Sequence, residues 1–493
     1  MRDFTGSIID SLKIYDLGVI AIILLTLIIL WGKSSVEKVS RKWYLIFLSV
    51  TFGLNVIMFS IKGGFIKSVH ERSNHALVSY MVAPVYTVFG YLLYDLIETN
   101  SGNPVDAFNG FKEWNQEHDE LINTYISSLD SVENKKNLVY IICESLESWP
   151  IGLTIEGKEI TPFLNALIND STVYYNPNIQ SQVRGGRSID CQLMTLSGIY
   201  PMDRVSFSTN NSDAVTMSVP DALKLRDIAT YLFTCDNKYV WNQASVAHNM
   251  GINQIFSREY WNVEEPATIN SYDGQLMDKA MFSQAVKAFK AGKIWPVGEN
   301  AMTIWVTRTG HNPFKIDESM DALHLEDDYH ETLKDYLTVV NYVDNSLKIL
   351  IEYIQSRPDY NETLIVITGD HEGLANHRKE IISTNKYPFV NSREFVPLLI
   401  INSDRVFCND KNIGGQIDIY PTLLDLMGVY KDYGWKGMGY SLLDPNRPCG
   451  AIDSKDIVIG DSISGRYLDN MKTAVDISDN VLKYKLLKNT DAE

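Results

Sequence analysis

An Asp–His pair that directly follows an apolar segment could bind a metal ion. Residues 364–366, "LIV", lead into "ITGDHEG", which contains Asp370 and His371. A short apolar run that ends at a Gly predicts an interior strand of a parallel sheet, and the C-terminal ends of such strands carry the chemistry in open α/β folds. An adjacent carboxylate and imidazole are ordinary ligands of a divalent cation. For the dipeptide alone, a solvated turn is the alternative.

Two further predicted strands end in groups of the same kind. "LVYIIC" is followed by Glu144, and "MTIWVT" leads into "TRTGHNPF", which contains His311. A single Glu or His at a strand end is commonly a helix cap or a hydrogen-bonded polar residue. Because parallel strands end at the same edge of a sheet, three such ends together indicate one functional site.

The segment "SQVRGGRSIDCQLMTLSG" contains a candidate nucleophile, Ser188. Ser188 opens an apolar helical pattern, so its hydroxyl is expected near a helix N-terminus, where anions bind. The double glycine before it permits close backbone approach, and Arg184 and Arg187 can donate paired hydrogen bonds to phosphate. We therefore assign Arg187 to catalysis and Arg184 to substrate binding. The alternative is that Ser188 is an N-cap, with Asp190 in the first helical turn.

The composition of the chain is that of a globular protein that does not bind nucleic acid. The chain has 493 residues, 45% of them hydrophobic, which is enough for one large α/β domain with a sizeable core. Its formal net charge of -17 would repel a phosphate backbone, and it has no stripe of Lys and Arg, so nucleic acid is excluded as a partner.

The five cysteines show no CxxC spacing and therefore predict neither a zinc knuckle nor a disulfide-dense scaffold. Cys408 and Cys449 could form a disulfide if that region lies outside the cytoplasm. Buried thiols are expected for the other three, Cys143, Cys191 and Cys235.

Two uncharged segments near the N-terminus predict membrane-spanning helices. They are residues 17–32 and residues 43–61, and the loop between them contains four basic residues and one Glu. Basic loops stay in the cytoplasm, so the hairpin places everything after Lys62 outside. A third uncharged segment, residues 76–94, is interpreted as an interfacial helix. If that segment spanned the membrane, the following domain would face the cytoplasm.

The rest of the chain predicts a large α/β domain with a small appendage. Residues 1–62 form the predicted transmembrane hairpin, 63–136 the interfacial helix and a polar linker, 137–450 the large domain and 451–493 the appendage. In the large domain, apolar runs alternate with helical patterns, which predicts a mostly parallel sheet with helices on both faces. In the appendage, "DIVIGD", "TAVDIS" and "VLKYKLL" predict a small antiparallel sheet.

Several of these motifs, in the same order along the chain, resemble one known family. "NLVYIICES", "GRSID", "GHNPF", "GDH", "GGQIDIYPTLLDLMG" and "GMGYSLL" are similar to motifs of the sulfatase-like phosphoglycerol transferases, typified by lipoteichoic acid synthase. That family belongs to the alkaline phosphatase superfamily. The resemblance extends from about Asn137 to Leu443 and implies an alkaline phosphatase-like or sulfatase-like fold.

By that resemblance, one divalent ion (Mn²⁺, Mg²⁺ or Zn²⁺) is bound by Glu144, Asp370, His371 and Ser188. Ser188 takes the position of the family's catalytic Thr in "GKTSD". His311 corresponds to the His of "NHFPF" and would stabilise the phosphoryl oxygens or protonate the leaving alkoxide.

The chain also departs from the family pattern. Where the synthases have "FWNR", this chain has "VWNQ", which keeps Trp241 but puts Gln243 where an Arg grips the glycerol phosphate. Trp241 and Gln243 are expected to bind the substrate, with a changed headgroup preference. The sulfatase motif Cys-x-Pro-x-Arg is absent, because Cys191 is followed by Gln-Leu-Met. This disfavours sulfate ester cleavage by the formylglycine route.

The resemblance implies a metal-dependent transferase at the bacterial cytoplasmic (inner) membrane, with an extracytoplasmic catalytic domain. It would move a phosphoglycerol-type headgroup from a phospholipid donor to a glycan or lipid acceptor through a phosphodiester on Ser188. The alternatives are a phosphoethanolamine transferase, a phosphodiesterase or sulfatase of the same fold, and a catalytically inactive, membrane-tethered binding module.

Overall fold

The structure is a computed structural model and describes residues 103–129, 135–203, 206–264, 269, 274–326, 328–374, 377–405, 412–460, 463 and 465–488. The predicted membrane spans, the predicted interfacial helix and Cys408 lie outside these residues. No helix within the described ranges combines the length and the apolar character that crossing a bilayer requires.

A mixed β-sheet forms the centre of the fold. In chain order the strands are β1 (Asn137–Cys143), β2 (Thr154–Ile155), β3 (Lys158–Glu159), β4 (Tyr174–Gln180), β5 (Ala229–Thr234), β6 (Gln254–Phe256), β7 (Ala301–Val306), β8 (Thr363–Gly369), β9 (Phe395–Ile401), β10 (Gly414–Gly415), β11 (Ala451–Ile452) and β12 (Val458–Ile459). The central sheet has the order β10-β4-β9-β8-β1-β7-β5-β6. Its strands run parallel except β9, which is antiparallel to β4 and β8.

Helices cover both faces of this sheet. They are α1 (Pro104–Ser128), α2 (Pro162–Ile168), α3 (Ser188–Ser197), α4 (Phe207–Asn210), α5 (Val219–Leu223), α6 (Gln243–Asn249), α7 (Asp278–Lys290), α8 (Glu331–Gln355), α9 (Arg378–Ser383), α10 (Ile419–Leu426) and α11 (Arg466–Lys483). Every residue of β1 is buried, and alternate residues enter two separate cores. One core contains residues of α1, α3, α10 and α11, and the other contains residues of α2, α7 and α8.

The prediction of a mostly parallel sheet between helices is confirmed. The apolar runs at residues 138, 302, 364 and 396 form β1, β7, β8 and β9, and the helical pattern from residue 330 forms α8. Their sequences are continuous apolar runs because these strands are buried on both faces. The buried thiols expected at Cys143, Cys191 and Cys235 are also confirmed.

The prediction of a C-terminal antiparallel sheet is wrong for two of its three segments. "DIVIGD" contributes β12, which pairs antiparallel with β11. "TAVDIS" lies within α11, and "VLKYKLL" forms its last turn and the residues that follow. The buried residues of this helix, which include Met471, Ala474, Ser478 and Val481, recur every three or four positions. The β-branched residues suggested strands, but this longer pattern has the period of a helix.

Helix α1 lies within the polar segment that precedes the large domain. Its buried residues Phe111, Trp114, His118, Ile122 and Ile126 share one face, because they recur every three or four positions. The indole of Trp114 donates a 3.0 Å hydrogen bond to the carbonyl of Asn470 in α11. Helix α1 therefore packs against the domain whose start was predicted at Asn137.

Candidate active site

Adjacent strands bring the predicted functional residues to one edge of the sheet. Strand β1 lies between β8 and β7, and all three run parallel. The C-terminal end of β1 leads to Glu144, that of β8 to Asp370 and that of β7 to His311. Strand β4 ends at the same edge and leads to Ser188, the first residue of α3. The fold thus gives the shared edge that the sequence pattern predicted.

Four of the predicted residues form a tight cluster. Glu144, Asp370 and His371 are buried, and their ligand atoms all lie within 4.8 Å of one another. Nε2 of His371 is 3.4 Å from Oε1 of Glu144 and 3.4 Å from Oδ2 of Asp370. The hydroxyl of Ser188 donates to Oε2 of Glu144 at 3.1 Å and lies 3.5 Å from Nε2 of His371.

Two glycines allow the chain around Glu144 to pass between its neighbours. A Cβ on Gly310 would lie 2.1 Å from the carbonyl oxygen of Glu144, and one on Gly369 would lie 1.9 Å from that of Leu146. Any side chain at either position would push this chain out of place. The glycines of "TGH" and "TGD" are therefore structural requirements of the site.

Hydrogen bonds fix the positions of Glu144 and Asp370 relative to each other. The amide of Glu144 donates to Oγ1 of Thr307 at 2.8 Å, and the amide of Ser145 donates to Oδ1 of Asp370 at 2.7 Å. Gln416, from "GGQIDIYPT", donates to the carbonyl of Asp370 at 2.6 Å. Ser145 has a φ of 58°, a left-handed conformation that is strained for a residue with a side chain.

Ser188 does not act as the N-cap of α3. Arg187 occupies the cap position, with φ 53° and ψ -120°, and Ser188 begins the helix. The carboxylate of Asp190 accepts hydrogen bonds from the amides of Arg184 at 3.0 Å and Gly186 at 2.9 Å. These two hydrogen bonds fix the turn before α3. The Ser188 hydroxyl remains directed at Glu144 and His371.

Burial and neighbouring charges shift the pKa values of Glu144, Asp370 and His371. Burial, reinforced by the Glu144 carboxylate, raises the pKa of Asp370 to about 7. Burial and Arg187 disfavour the charged form of His371, but Asp370 and Glu144 outweigh them and raise its pKa to about 9. Burial also opposes charge on Glu144, yet His371 keeps the pKa of this carboxyl well below its usual range.

This donor set fits a divalent cation. Two buried carboxylates beside one imidazole concentrate negative charge, which a cation would neutralise, and a hydroxyl completes a set of oxygen and nitrogen ligands. His371 Nδ1 lies 3.0 Å from the carbonyl of Glu372, so it can donate there while Nε2 faces the other ligands. The residues that could hold the ion are therefore Glu144, Asp370, His371 and Ser188.

The two arginines that flank the double glycine are both engaged by carboxylates. Arg187 pairs with Glu372, and its Nη2 lies 2.9 Å from Nδ1 of His371. The side chain of Arg184 is only 10% exposed and pairs with Asp456 at 2.8 Å, in the turn between β11 and β12. Their assignments to catalysis and substrate binding stay predictions.

His311 lies next to this cluster. Its Nδ1 is 2.6 Å from the carbonyl of Asn312 and donates to it, so Nε2 is the ring atom available to a substrate. Burial, together with Arg308, lowers the pKa of His311, although Glu144 opposes the shift. His311 lies near Glu144 but is outside the group of ligand atoms.

Trp241 and Gln243 lie beyond β5. The side-chain amide of Gln243 is buried and makes a reciprocal pair with Gln192 of α3, with hydrogen bonds of 3.1 and 3.0 Å. Gln192 is one helical turn after Ser188, so this pair connects α6 to the helix that carries the candidate nucleophile. Trp241 is half-buried and has a φ of 50°.

Sequence reasoning missed Arg308. This residue precedes His311 in "TRTGH", and its Nε donates to Oδ1 of Asp236 at 3.2 Å. Its amide donates to Oδ1 of Asp278 at 2.8 Å, so the backbone is fixed as well. The signal in the sequence is a basic residue at the same strand end as His311.

Comparisons with known proteins identify the family of this chain. The family model described as Sulfatase matches residues 136–429. Lipoteichoic acid synthase 2 of Bacillus subtilis is 27% identical over 375 residues, which cover 72% of this chain and 56% of that protein. The chain thus spans little more than half the length of this relative.

Two solved structures share the fold. The lipoteichoic acid synthase LtaP from Listeria monocytogenes has a TM-score of 0.55 at 19% identity, covering 76% of this chain and 98% of that one. The phosphoglycerol transferase GacH of Streptococcus pyogenes, solved in complex with sn-glycerol-1-phosphate, has a TM-score of 0.52 at 14% identity, covering 78% of this chain and 96% of that one. At these identities, the likeness identifies the alkaline phosphatase-like fold alone.

Proposed function

Because the chain belongs to the sulfatase family, we propose that it transfers a phosphoglycerol-type headgroup from a phospholipid to a hydroxyl acceptor. The observation that carries the proposal is the Ser188 hydroxyl, which lies within hydrogen-bonding distance of a buried metal-ligand cluster. The names of the relative from Bacillus subtilis and of the neighbour GacH support the phosphoglycerol class of substrate.

We assign one divalent cation to Glu144, Asp370, His371 and Ser188. When bound, the cation lowers the pKa of the serine hydroxyl, which releases its proton to water, and neutralises charge on the phosphoryl group. The protein's part is to hold the serine oxygen at a fixed place. The Asp190 carboxylate does this by fastening the turn that precedes Ser188.

The proposed reaction has two steps. In the first, Oγ of Ser188 attacks phosphorus and forms a phosphodiester, while the bond to the diacylglycerol oxygen breaks. His311 is neutral beforehand, because burial and Arg308 lower its pKa, so its Nε2 first takes up, through water, the proton that Ser188 releases and then gives it to that leaving oxygen. In the second, neutral His311 takes the proton of the acceptor hydroxyl, which attacks phosphorus and frees Ser188. His311 returns this proton to the Ser188 oxygen through water, so each proton and each bond is accounted for over one turnover.

Arg308 is the residue that we propose binds the phosphate anion. Gln243 stands where the resembling synthases have an Arg, and its amide is occupied by Gln192. Arg308 lies in the same strand-end turn as Thr307 and Gly310, both of which contact the chain at Glu144. A guanidinium held by Asp236 at this place can stabilise the charge of the phosphoryl oxygens.

A lipid donor requires the site to reach a membrane surface. The uncharged segments at residues 17–32 and 43–61 support an anchored protein with the catalytic domain outside the cytoplasm. The acceptor is then a glycan or a lipid on the same side of the membrane.

The test uses the full-length protein in vesicles that contain radiolabelled phosphatidylglycerol or phosphatidylethanolamine. We expect release of diacylglycerol from phosphatidylglycerol, dependent on added divalent metal and abolished in Ser188→Ala. Preference for phosphatidylethanolamine would identify a phosphoethanolamine transferase instead. If wild type and Ser188→Ala release the same amount from both lipids, the proposal is wrong and a binding module becomes the better account.

A further inference from the structure

A second group of side chains that could hold a metal ion lies outside the site described above. His330 immediately precedes α8, His377 immediately precedes α9, and Glu380 lies in the first turn of α9. One ligand atom from each residue can be chosen so that all three lie within 4.8 Å of one another. We propose that these residues bind one Zn²⁺ ion, independently of the catalytic metal.

The distances are close to those of a formed site. Nε2 of His330 is 3.8 Å from Oε1 of Glu380, and Nδ1 of His377 is 4.0 Å from Oε2 of the same carboxylate. Ligands of a tetrahedral zinc ion at about 2.0–2.1 Å lie about 3.4 Å from one another. Each imidazole nitrogen would therefore move by about half an ångström relative to the Glu380 carboxylate to reach this spacing.

The three side chains have the freedom that this movement needs. The side chain of Glu380 is 66% exposed and that of His377 is 39% exposed, so both can turn without disturbing the core. His330 is more fixed, because its amide donates to the hydroxyl of Tyr387 at 2.8 Å and Tyr387 stacks on Tyr329. His330 can therefore stay in place while the side chains of His377 and Glu380 turn towards a bound ion.

His330 faces Glu380 through Nε2, at 3.8 Å from Oε1. Nδ1 of His330 is buried and finds no hydrogen-bond partner among the residues that the structure describes. The set of two imidazoles and one carboxylate favours zinc over magnesium or calcium, which prefer all-oxygen sites.

An ion here would join the start of α8 to the start of α9. Arg378, the residue after His377, pairs with Glu147, whose carboxylate accepts from the amide of Gly373 at 2.9 Å. Gly373 is two residues beyond His371. The zinc site would thus be a second contact, besides the Arg378–Glu147 ion pair, that holds the segment after Asp370 and His371 in place. Because zinc would bind only the folded state, it would raise the stability of the folded protein.

The experiment counts zinc in a protein whose catalytic site is disabled. Full-length Glu144→Gln/Asp370→Asn protein is stripped of metal, equilibrated with Zn²⁺ and analysed by mass spectrometry of the elements. One ion per chain is expected. Adding His330→Ala or His377→Ala should weaken zinc binding by at least about tenfold, whereas adding His324→Ala, at a 71% exposed His, should not.

A second measurement guards against misfolding. Circular dichroism of each variant reports the fold, and a replacement of the zinc by Co²⁺ reports nitrogen coordination through its visible spectrum. The inference is overturned if the disabled protein binds no zinc, or if folded His330→Ala and His377→Ala variants bind it as tightly as the parent. Neither result depends on headgroup transfer, so failure here and failure of the proposed function are distinguishable.

Discussion

Asp370 and His371 are neighbours in the chain, and both face Ser188 with Glu144. Their types and their place after a buried strand could be predicted from sequence, because a continuous apolar run identifies the strand and its end identifies the sheet edge. What the sequence could not predict is where the flanking side chains go. Arg184 and Arg187 could both donate to phosphate, and only the structure shows that Asp456 and Glu372 engage them.

Metal content separates the ligands from the other catalytic groups. Asp370→Asn or His371→Ala should lower both bound metal and activity, because each change removes a donor atom from the cluster. His311→Ala should lower activity and spare the metal at this site, since its ring lies outside the cluster. Elemental analysis of purified, folded variants checks this. Equal metal loss in all three would show that this division of roles is wrong.

Arg308 should determine how well the donor phosphate is bound. Arg308→Gln removes a charge-assisted hydrogen bond, an interaction of about 1.5–3 kcal/mol, so kcat/KM for the lipid should fall roughly 10- to 100-fold. The fall should appear without loss of metal. Arg466→Gln, at an exposed Arg that pairs with Glu117 and Glu120, is the matched control. An Arg308→Gln enzyme with unchanged kcat/KM would contradict the assignment.

Among the elements, the buried strands and the long helix α8 could be predicted from sequence, but β4 and α11 could not. β4 has the sequence "YYNPNIQ", in which a Pro and two Asn interrupt the apolar pattern, and its pairing with β9 shifts register there. In α11 the helical period becomes visible only over the whole segment, while each short window resembles a strand.

The turn before α3 should tolerate no side chain at Gly186. A Cβ there would lie 2.1 Å from Oδ1 of Asp190, so Gly186→Ala must displace the carboxylate that fastens the turn before Ser188. We expect a severe loss of activity in a protein that still folds. Gly110→Ala is the control, since a Cβ at that helical position meets nothing within 4 Å. Wild-type turnover in Gly186→Ala would refute this role for the turn.

The packing of α1 should make stability depend on pH through His118. Burial lowers the pKa of His118 to about 4, against an ordinary value near 6.5. Between these values the unfolded chain binds a proton that the folded one does not. Stability is therefore fully present above about pH 6.5 and is lost as the pH falls towards about 4, by up to about 3 kcal/mol.

Urea unfolding at pH 7 and pH 5 tests this effect. His118→Gln keeps a side-chain donor for Asn470 and removes the titration, so the variant should lose less stability on acidification than the wild type. His324→Ala, at an exposed His, should behave like the wild type. If wild type and His118→Gln lost the same free energy of unfolding between pH 7 and pH 5, a group other than His118 would cause the acid sensitivity.

At the scale of the whole molecule, the proposed function requires a sulfatase-type domain that acts on a lipid substrate. The domain is supported by the family match, the shared fold and the cluster at the sheet edge. The link to the membrane rests on sequence patterns in residues 1–102, which the structure does not describe. Sequence could therefore predict the main fold and the residues that meet at the edge of the sheet, because both follow from the continuous apolar strands.

The most direct test of the central claim is to trap the phosphodiester on Ser188. Full-length protein is incubated with metal and phosphatidylglycerol but no acceptor, then digested and mapped by mass spectrometry. The account predicts a glycerophosphate phosphodiester on the peptide that contains Ser188, and its absence from Ser188→Ala. An adduct on another residue such as Cys191, or near-normal transfer by Ser188→Ala, would contradict the covalent mechanism.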